Sequence, residues 1–269
     1  MLRPASKYGI AGAVTALLAL TGCGSSSDGT GGTGGTGGGG PTTAAPATTQ
    51  AAAKDKGPLC VGKAAADGLH VLRGGGFRLP EGGGVQYDSA TADGTTRTAT
   101  LREGASYADG QKQQNVRAGQ RITFSGHAYT VSQICSYRVV LEPRDAKDKT
   151  ALAAAPKSLE SKGGEADSGL CFSTNSSVLA AAAKGFPARG STLSLLRNGG
   201  VKTFPTGLSI TVSYIDAKTG TAGVGANCAA IPVAVYRDVR VGDTVEFAGV
   251  LFKVSGLAED VVRLTRTSA

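Results

Sequence analysis

The feature that most constrains this chain is a repeat of its own sequence. Residues 116–132 align without a gap on residues 239–255, and the match continues at the same separation to residues 139–141 and 262–264. The matched pairs are Val116 and Val239, Arg117 and Arg240, Gly119 and Gly242, Phe124 and Phe247, Gly126 and Gly249, Val131 and Val254, Ser132 and Ser255, Val139 and Val262, and Leu141 and Leu264. Upstream, residues 69–73 match 193–197 and residues 80–82 match 205–207. A shared order at a nearly constant spacing indicates a tandem duplication.

Each copy has the period-two alternation of antiparallel strands. In the first copy Ile122 and Phe124 alternate with polar residues, a short Gly-containing turn follows, and Tyr129 and Val131 resume the alternation. That pattern predicts a β-hairpin. The second copy repeats it with Val245, Phe247, Phe252 and Val254. Only residues 176–184 have a clear helical pattern.

The predicted fold is therefore mainly β. It consists of two tandem small antiparallel β-sandwich or barrel domains related by duplication, with one short helix in the second. We place the first copy at residues 57–144 and the second copy at residues 168–269, each within the usual size of a domain. Residues 145–167 are charged, Ala-rich and poor in large apolar side chains. They are predicted to form an interdomain linker.

The hairpin contains Phe124-Ser125-Gly126 in the first copy and Phe247-Ala248-Gly249 in the second. This Phe-x-Gly hairpin resembles small β modules of exported actinomycete proteins. The resemblance covers only the hairpin of each copy. It implies a β fold and no particular activity.

Four cysteines lie in the duplicated part of the chain or at its edges, at Cys60, Cys135, Cys171 and Cys228. An even number of cysteines in an exported chain predicts disulfides, and four cysteines allow three connectivities. The duplication favours pairing within each copy, as Cys60–Cys135 and Cys171–Cys228. Since Cys135 aligns with Ala258, the second bridge does not follow from the first.

The first 23 residues have the layout of an export signal. Arg3 and Lys7 precede an apolar run at residues 10–20 that is short for a membrane span, which needs about 20 residues. The run leads into Leu-Thr-Gly-Cys at residues 20–23, which resembles the lipobox of bacterial lipoproteins. The resemblance implies removal of residues 1–22, a diacylglyceryl group on Cys23, and a location on the outer face of the cell membrane. An uncleaved membrane helix and a plain secretory signal are the alternatives.

Residues 24–56 are of low complexity, with Gly, Ser and Thr repeats followed by a segment rich in Pro, Thr and Ala. Such a composition cannot bury enough apolar surface to offset the entropy of ordering. Residues 23–56 are therefore predicted to be a lipid-anchored, flexible tether. Two acyl chains on Cys23 would hold the chain firmly at the membrane.

Charge argues against a nucleic-acid partner. The formal net charge of +8 falls to +6 when Arg3 and Lys7 leave with the signal, because 26 basic residues then face 20 acidic ones. The Lys and Arg residues are scattered, whereas nucleic-acid binders cluster them on one face. The partners predicted are the membrane, through Cys23, and an envelope protein or wall polymer.

Only two histidines, His70 and His127, could serve as a catalytic base. Their counterparts in the second copy are Ser194 and Val250, so the second copy keeps neither. Both histidines are predicted to be surface residues. The carboxylates Asp216, Glu246, Glu259 and Asp260 are predicted to lie on turns and solvent faces. No nucleophile elbow, zinc-binding helix or phosphate loop is present in the sequence.

We therefore predict no catalytic residue, no cofactor and no metal site. The predicted function is a non-catalytic binding or scaffolding module at the cell envelope. The alternative is a cell-wall hydrolase or transferase without a recognisable motif; the His-Gly-Cys motif of actinomycete transpeptidases is absent from the sequence. A solute-binding lipoprotein fits less well, because those proteins alternate strands with helices and this chain does not.

Overall fold

Alternating apolar residues form short antiparallel strands in both copies. The structure is a computed structural model that describes residues 57–80, 82–154, 174–204, 207–228 and 231–269. The predicted signal peptide, Cys23, all of the tether, Cys171 and much of the predicted linker lie outside the described residues. The described residues all belong to one compact unit, Thr49–Ala269.

The strands of the first copy are β1 (Cys60–Gly62), β2 (Leu69–Leu72), β3 (Gly76–Arg78), β4 (Gly84–Ala92), β5 (Arg97–Glu103), β6 (Gln113–Arg117), β7 (Arg121–Phe124), β8 (His127–Cys135) and β9 (Arg138–Pro143). Those of the second copy are β10 (Thr192–Leu196), β11 (Lys202–Thr203), β12 (Leu208–Asp216), β13 (Thr221–Cys228), β14 (Ile231–Val239), β15 (Thr244–Phe247), β16 (Val250–Leu257) and β17 (Val261–Arg266). The helices are α1 (Ala146–Ala153) and α2 (Ser176–Ala182).

The duplication is visible strand by strand. In the first copy one sheet has the order β2-β9-β8-β7, with β1 also paired to β8, and the other has the order β3-β4-β5-β6. In the second copy the corresponding sheets are β10-β17-β16-β15 and β11-β12-β13-β14. Strands β2 to β9 therefore correspond one to one with β10 to β17. The mainly β prediction is confirmed as a sandwich-like arrangement of antiparallel sheets, with no closed barrel among the described strands.

Strand register repeats as well. Leu69 lies opposite Leu141 in the first copy, as Leu193 lies opposite Leu264 in the second. The irregularities recur too, between Tyr87 and Ser89 and between Val212 and Tyr214, and again between Val131 and Gln133 and between Val254 and Gly256. Because a β-bulge redirects a strand locally, matching bulges give both copies the same curvature.

The predicted hairpin has the same turn in both copies. Its central residues, Ser125 and Gly126, have φ values of 49° and 84°, and their counterparts Ala248 and Gly249 have 47° and 76°. Two positive φ values suit a two-residue turn whose twist matches the strands that it joins.

The inner faces of the sheets form the core. Phe124 and Phe247, predicted to be equivalent core residues, are 1% and 0% exposed. Both members are also buried in the pairs Leu69 and Leu193, Ile122 and Val245, Tyr129 and Phe252, Val131 and Val254, Val139 and Val262, and Leu141 and Leu264. The repeated apolar pattern thus encodes the same buried face twice.

The start of the predicted linker is helical. Helix α1 is capped by Asp145, which accepts a hydrogen bond from the Lys147 amide, and it buries Leu152 in the core. The described residues therefore contain two short helices, α1 and α2. The copies pack against each other within one unit.

Candidate binding site

Glu246 lies where the two copies meet. It is on the outward face of β15 but only 1% exposed, because β2 and β9 of the first copy cover it. His70 Nδ1 lies 3.3 Å from Glu246 Oε1, and Arg138 donates a hydrogen bond of 2.8 Å to Oε2. Its counterpart in the first copy, Thr123, is exposed. The prediction that Glu246 faces solvent is wrong, since packing between the copies is not visible in the alternation of one strand.

The charge of Glu246 is compensated within this junction, which we define as His70, Arg138, Tyr236 and Glu246. Burial disfavours the charged carboxylate, but the hydrogen bond from His70 and the charge of Arg138 outweigh burial, so the pKa of Glu246 lies below its ordinary value. The Tyr236 hydroxyl accepts from the Glu246 amide at 3.1 Å and donates to its carbonyl at 3.0 Å. Burial, aided by the charge of Glu246, raises the pKa of Tyr236. The junction is a structural contact.

His127 is also paired. It is the first residue of β8, and its Nδ1 lies 2.9 Å from Asp148 Oδ1 on α1, with both side chains mostly buried. Both histidines, predicted to be surface residues, are partly exposed, and each is paired with a carboxylate. Within the described ranges, no serine, threonine or cysteine side chain makes a hydrogen bond to either imidazole. Each histidine instead joins two elements of the fold.

The predicted disulfide Cys60–Cys135 is present, between residues directly opposite each other on β1 and β8. Cys228, at the end of β13, is also disulfide-bonded. Its predicted partner, Cys171, lies outside the described residues, so the pairing Cys171–Cys228 stays a prediction.

The other predicted carboxylates are at turns. Asp216 accepts hydrogen bonds from the Lys218 and Thr219 amides after β12, and hydrogen bonding to Thr219 leads the causes that lower its pKa. Glu259 and Asp260 are exposed between β16 and β17. No cluster of three or more His, Cys, Asp or Glu side chains suited to a metal ion occurs in the part of the chain that the structure describes.

The copies differ most at one corner of the sandwich. In the first copy β2 and β3 are edge strands joined by residues 73–75, which we call the first corner. In the second copy β10 and β11 are edge strands joined by residues 197–201, the second corner. Two backbone hydrogen bonds recur: Arg73 N to Tyr137 O matches Arg197 N to Asp260 O, and Gly75 N to Leu72 O matches Gly199 N to Leu196 O. The two corners therefore begin alike, but the second is longer and has Asn198 where the first has Gly74.

The first corner is covered by the second copy. The outer edge of β14 lies against it, and the Val235 amide donates a 2.9 Å hydrogen bond to the Arg73 carbonyl. A Cβ on Gly74 or Gly75 would overlap the carbonyls of Val235 and Val233, so only glycine permits this approach. Gly75 and the following glycine are buried. The contact joins the copies backbone to backbone.

The second corner is open, and it exposes Arg197 and Asn198 beside its apolar residues. Leu196 and Val201 are 53% and 54% exposed, and a Cβ on Gly200 would meet nothing within 4 Å. A groove runs from the corner to β12, lined by Ser194, Leu195, Leu196, Gly199, Gly200, Val201, Lys202, Ile210 and Val212. Exposed edge strands beside an apolar groove can accept another extended chain.

The two copies have different residues at one position that lines the groove. Phe77 lies opposite Val85 and is 5% exposed, whereas Lys202 occupies the equivalent position opposite Ile210 and is exposed. The second copy thus lacks the aromatic ring that packs into the core of the first copy at this point. The sequence analysis missed the groove. The break in the repeat, Lys202 for Phe77, is the signal that could have indicated it.

A second, polar groove lies on β4, β5, β6 and the residues after them, lined by Thr91, Thr98, Thr100, Asn115, Arg117 and Gln120. Its side chains bond to one another: the hydroxyls of Thr91 and Thr98 are 2.8 Å apart, and Thr100 donates to Asn115 at 2.8 Å. These internal hydrogen bonds occupy some of the donors and acceptors that a polar ligand would need.

No protein-family model, no curated protein and no solved structure matches this chain. Among the described residues, no helix is both long enough and apolar enough to cross a membrane.

Proposed function

We propose that this chain is an exported, lipid-anchored protein that acts as a non-catalytic binding or scaffolding module at the cell envelope. The open second corner is the observation that carries the proposal: it exposes two edge strands and a groove with apolar side chains. Each histidine is paired with a carboxylate in a contact between structural elements, and among the described residues neither imidazole is hydrogen-bonded to a serine, threonine or cysteine side chain.

The proposed location rests on the N-terminal sequence. Lipid on Cys23 would anchor the chain, and residues 24–56 would let the folded unit reach away from the membrane. Cells grown with an alkyne-labelled fatty acid should label the wild-type protein and leave Cys23→Ala unlabelled. Equal labelling of both proteins would contradict the anchor, and Cys60→Ala serves as the control for a cysteine outside the lipobox.

A cell-wall enzyme is the competing class, and incubation with purified peptidoglycan separates the two. The folded unit, residues 49–269, has its own core and disulfide, as independent folding requires. A binding module leaves the polymer intact, whether or not the protein cosediments with it. Release of soluble fragments that increases with protein concentration would contradict the non-catalytic proposal.

A further inference from the structure

We infer that the polar groove of the first copy binds a glycan in which an acidic sugar stands next to a neutral one. The site is the outward face of β4, β5 and β6, together with the loop at residues 104–112. The carboxylate of the acidic sugar lies on Arg117. This inference goes beyond the proposed function, because it assigns a second site on the other copy from the second corner.

The outward face of these strands is a rigid polar platform. Its side chains form two neighbouring rows across the three strands, Thr91, Thr98 and Arg117 in one and Ser89, Thr100 and Asn115 in the other. On the opposite face of the sheet, Ala99, Leu101 and Val116 are buried in the core. An antiparallel sheet packed on one side holds the polar groups of its other side in fixed positions.

The amide groups of the groove have donors to spare. Thr100 donates to the Asn115 side-chain oxygen, and the Gln120 side-chain oxygen accepts from the Arg117 amide at 3.0 Å. Among the described residues, the NH2 groups of Asn115 and Gln120 make no hydrogen bond. These donors suit a ligand rich in oxygen acceptors, such as a sugar.

Arg117 supplies a free positive charge. Its guanidinium is exposed and makes no hydrogen bond or ion pair within the described ranges. No carboxylate is among the described residues that line the groove. Asp93, at the adjacent turn, is engaged by the amides of Thr95 and Thr96. An arginine without a protein partner favours a ligand with a carboxylate, which it can bind with two hydrogen bonds.

An exposed aromatic ring lies at the other end of the face. Tyr107 is 69% exposed and packs on Arg102, whose guanidinium carbon is 4.9 Å from the ring centroid. Asp88 lies 3.5 Å from Arg102, and Tyr107 donates to Asp109 at 3.1 Å. The open side of the ring can stack on the apolar face of a sugar, while the two acids disfavour a second carboxylate there.

The loop that carries Tyr107 is held in place by two glutamines. Gln86 donates to the carbonyls of Gly104 and Ser106 at 2.9 Å and 3.0 Å. Gln111 donates to the Ser106 carbonyl at 2.8 Å. A ring that is positioned before the ligand arrives loses less conformational freedom on binding.

The second copy fills the same place with its own side chains. Tyr214 lies opposite Gly223 on β12 and β13, at the positions that Ser89 and Thr100 occupy on β4 and β5. The Tyr214 ring lies on Gly223, since a Cβ there would overlap the ring. The equivalent surface of the first copy has no such ring and stays open.

The arginine and the loop differ between the copies as well. Arg240, the counterpart of Arg117, donates to the Thr219 carbonyl at 2.9 Å. Strands β13 and β14 are joined by residues 229–230 alone, so the second copy has no counterpart of the loop with Tyr107. The free cation and the exposed ring therefore occur together only in the first copy.

The separation of the two ends suits an oligosaccharide. Thr98, opposite Arg117, and Arg102, beneath Tyr107, are four residues apart on β5, which is about 14 Å at about 3.4 Å per residue. A carboxylate on Arg117 therefore lies well away from the acids near Tyr107. A nucleic acid carries a phosphate on every nucleotide and requires clustered cations, which one free arginine does not supply.

The probe is a hyaluronan tetrasaccharide, which alternates acidic and neutral sugars, and the N-acetylglucosamine tetramer is its neutral comparison. Isothermal titration calorimetry with the folded unit, residues 49–269, should show saturable binding of the hyaluronan tetrasaccharide. Its affinity should be at least about fivefold higher than that of the neutral tetramer, a difference of about 1 kcal/mol.

Two pairs of variants separate the contributions of charge and ring. Arg117→Gln should lower the affinity for the hyaluronan tetrasaccharide to that of the neutral tetramer. Its matched control, Arg144→Gln, removes the same charge from an exposed arginine outside the groove and should leave both affinities within about twofold. Tyr107→Ala should weaken both sugars at least about fivefold, and Tyr107→Phe, which keeps the ring, should leave both within about twofold. Thermal melting checks that each variant folds.

Three results would overturn the inference. The first is the absence of saturable binding of the hyaluronan tetrasaccharide, and the second is an equal effect of Arg117→Gln and Arg144→Gln. The third is a tetraglutamate peptide that binds as tightly as the hyaluronan tetrasaccharide, which would assign the groove to acidic peptides. Each of these results removes the glycan site alone, whereas the proposed non-catalytic function fails on a different result, the release of soluble fragments from peptidoglycan.

Discussion

The first and second copies have the same strand order, bulges and hairpin turn, yet they differ in which surfaces pack against the other copy and which stay exposed. Positions on the inner faces keep their character, as with Phe124 and Phe247. Other positions diverge: exposed Thr123 corresponds to buried Glu246, and Phe77, buried in the core of the first copy, corresponds to exposed Lys202. The comparison teaches that inner-face packing fixes the frame of each copy, while outer positions decide which surface meets the other copy and which stays open.

The largest expected effects test the shared frame. Phe124→Ala and Phe247→Ala each leave a cavity at an equivalent buried position, and each should lower the free energy of unfolding by about 3–5 kcal/mol. Because the copies share one compact unit, both variants should still unfold in a single transition, followed by circular dichroism during urea denaturation. Two separate transitions, with each variant shifting only one of them, would show that the copies fold independently.

The next prediction compares the stability effects of substitutions at Glu246 and at its counterpart Thr123. Glu246→Ala leaves Arg138 buried without its carboxylate and should cost about 3–5 kcal/mol, as removal of one partner of a buried ion pair does. Thr123→Ala alters the equivalent exposed position and should change stability by no more than about 0.5 kcal/mol. Equal losses in urea denaturation of the two variants would contradict the assignment of Glu246 to the junction.

Acid should weaken the same junction. Since the pKa of Glu246 is lower in the folded protein than its ordinary value of 4.5, its contribution to stability is complete above that value and is lost as the pH falls through the lower, folded-state pKa. Melting temperatures measured from pH 6 to pH 3 should fall more steeply for the wild type than for Glu246→Gln. Parallel curves would show that folding does not lower the pKa of Glu246.

The smallest expected effect concerns the open groove. Lys202→Phe gives the second copy the aromatic residue that the first copy buries at Phe77. Filling the groove should raise the free energy of unfolding by about 0.5–2 kcal/mol, the usual gain for a filled cavity. The control is Lys218→Phe, at an exposed turn, which should bring no gain in the same denaturation experiment. A loss of stability in Lys202→Phe alone would mean that the copies differ here in more than one side chain.

Properties that depend on local pattern were predictable from the sequence. Period-two alternation indicated the strands and the buried faces of Phe124 and Phe247, and the even cysteine count with the duplication indicated Cys60–Cys135. The burial of Glu246 was not predictable, because it depends on how one copy docks on the other. The consecutive glycines Gly74 and Gly75 are the trace of that docking in the sequence, since a close backbone approach requires a missing side chain.

The central claim is that the two copies repeat one frame and that β14 of the second copy closes the first corner. Backbone amide hydrogen exchange in the ¹⁵N-labelled folded unit tests it most directly. The Val235 amide, which donates to the Arg73 carbonyl at 2.9 Å, should exchange as slowly as the amides of the core strands. Rapid exchange of the Val235 amide in the folded protein would contradict the account.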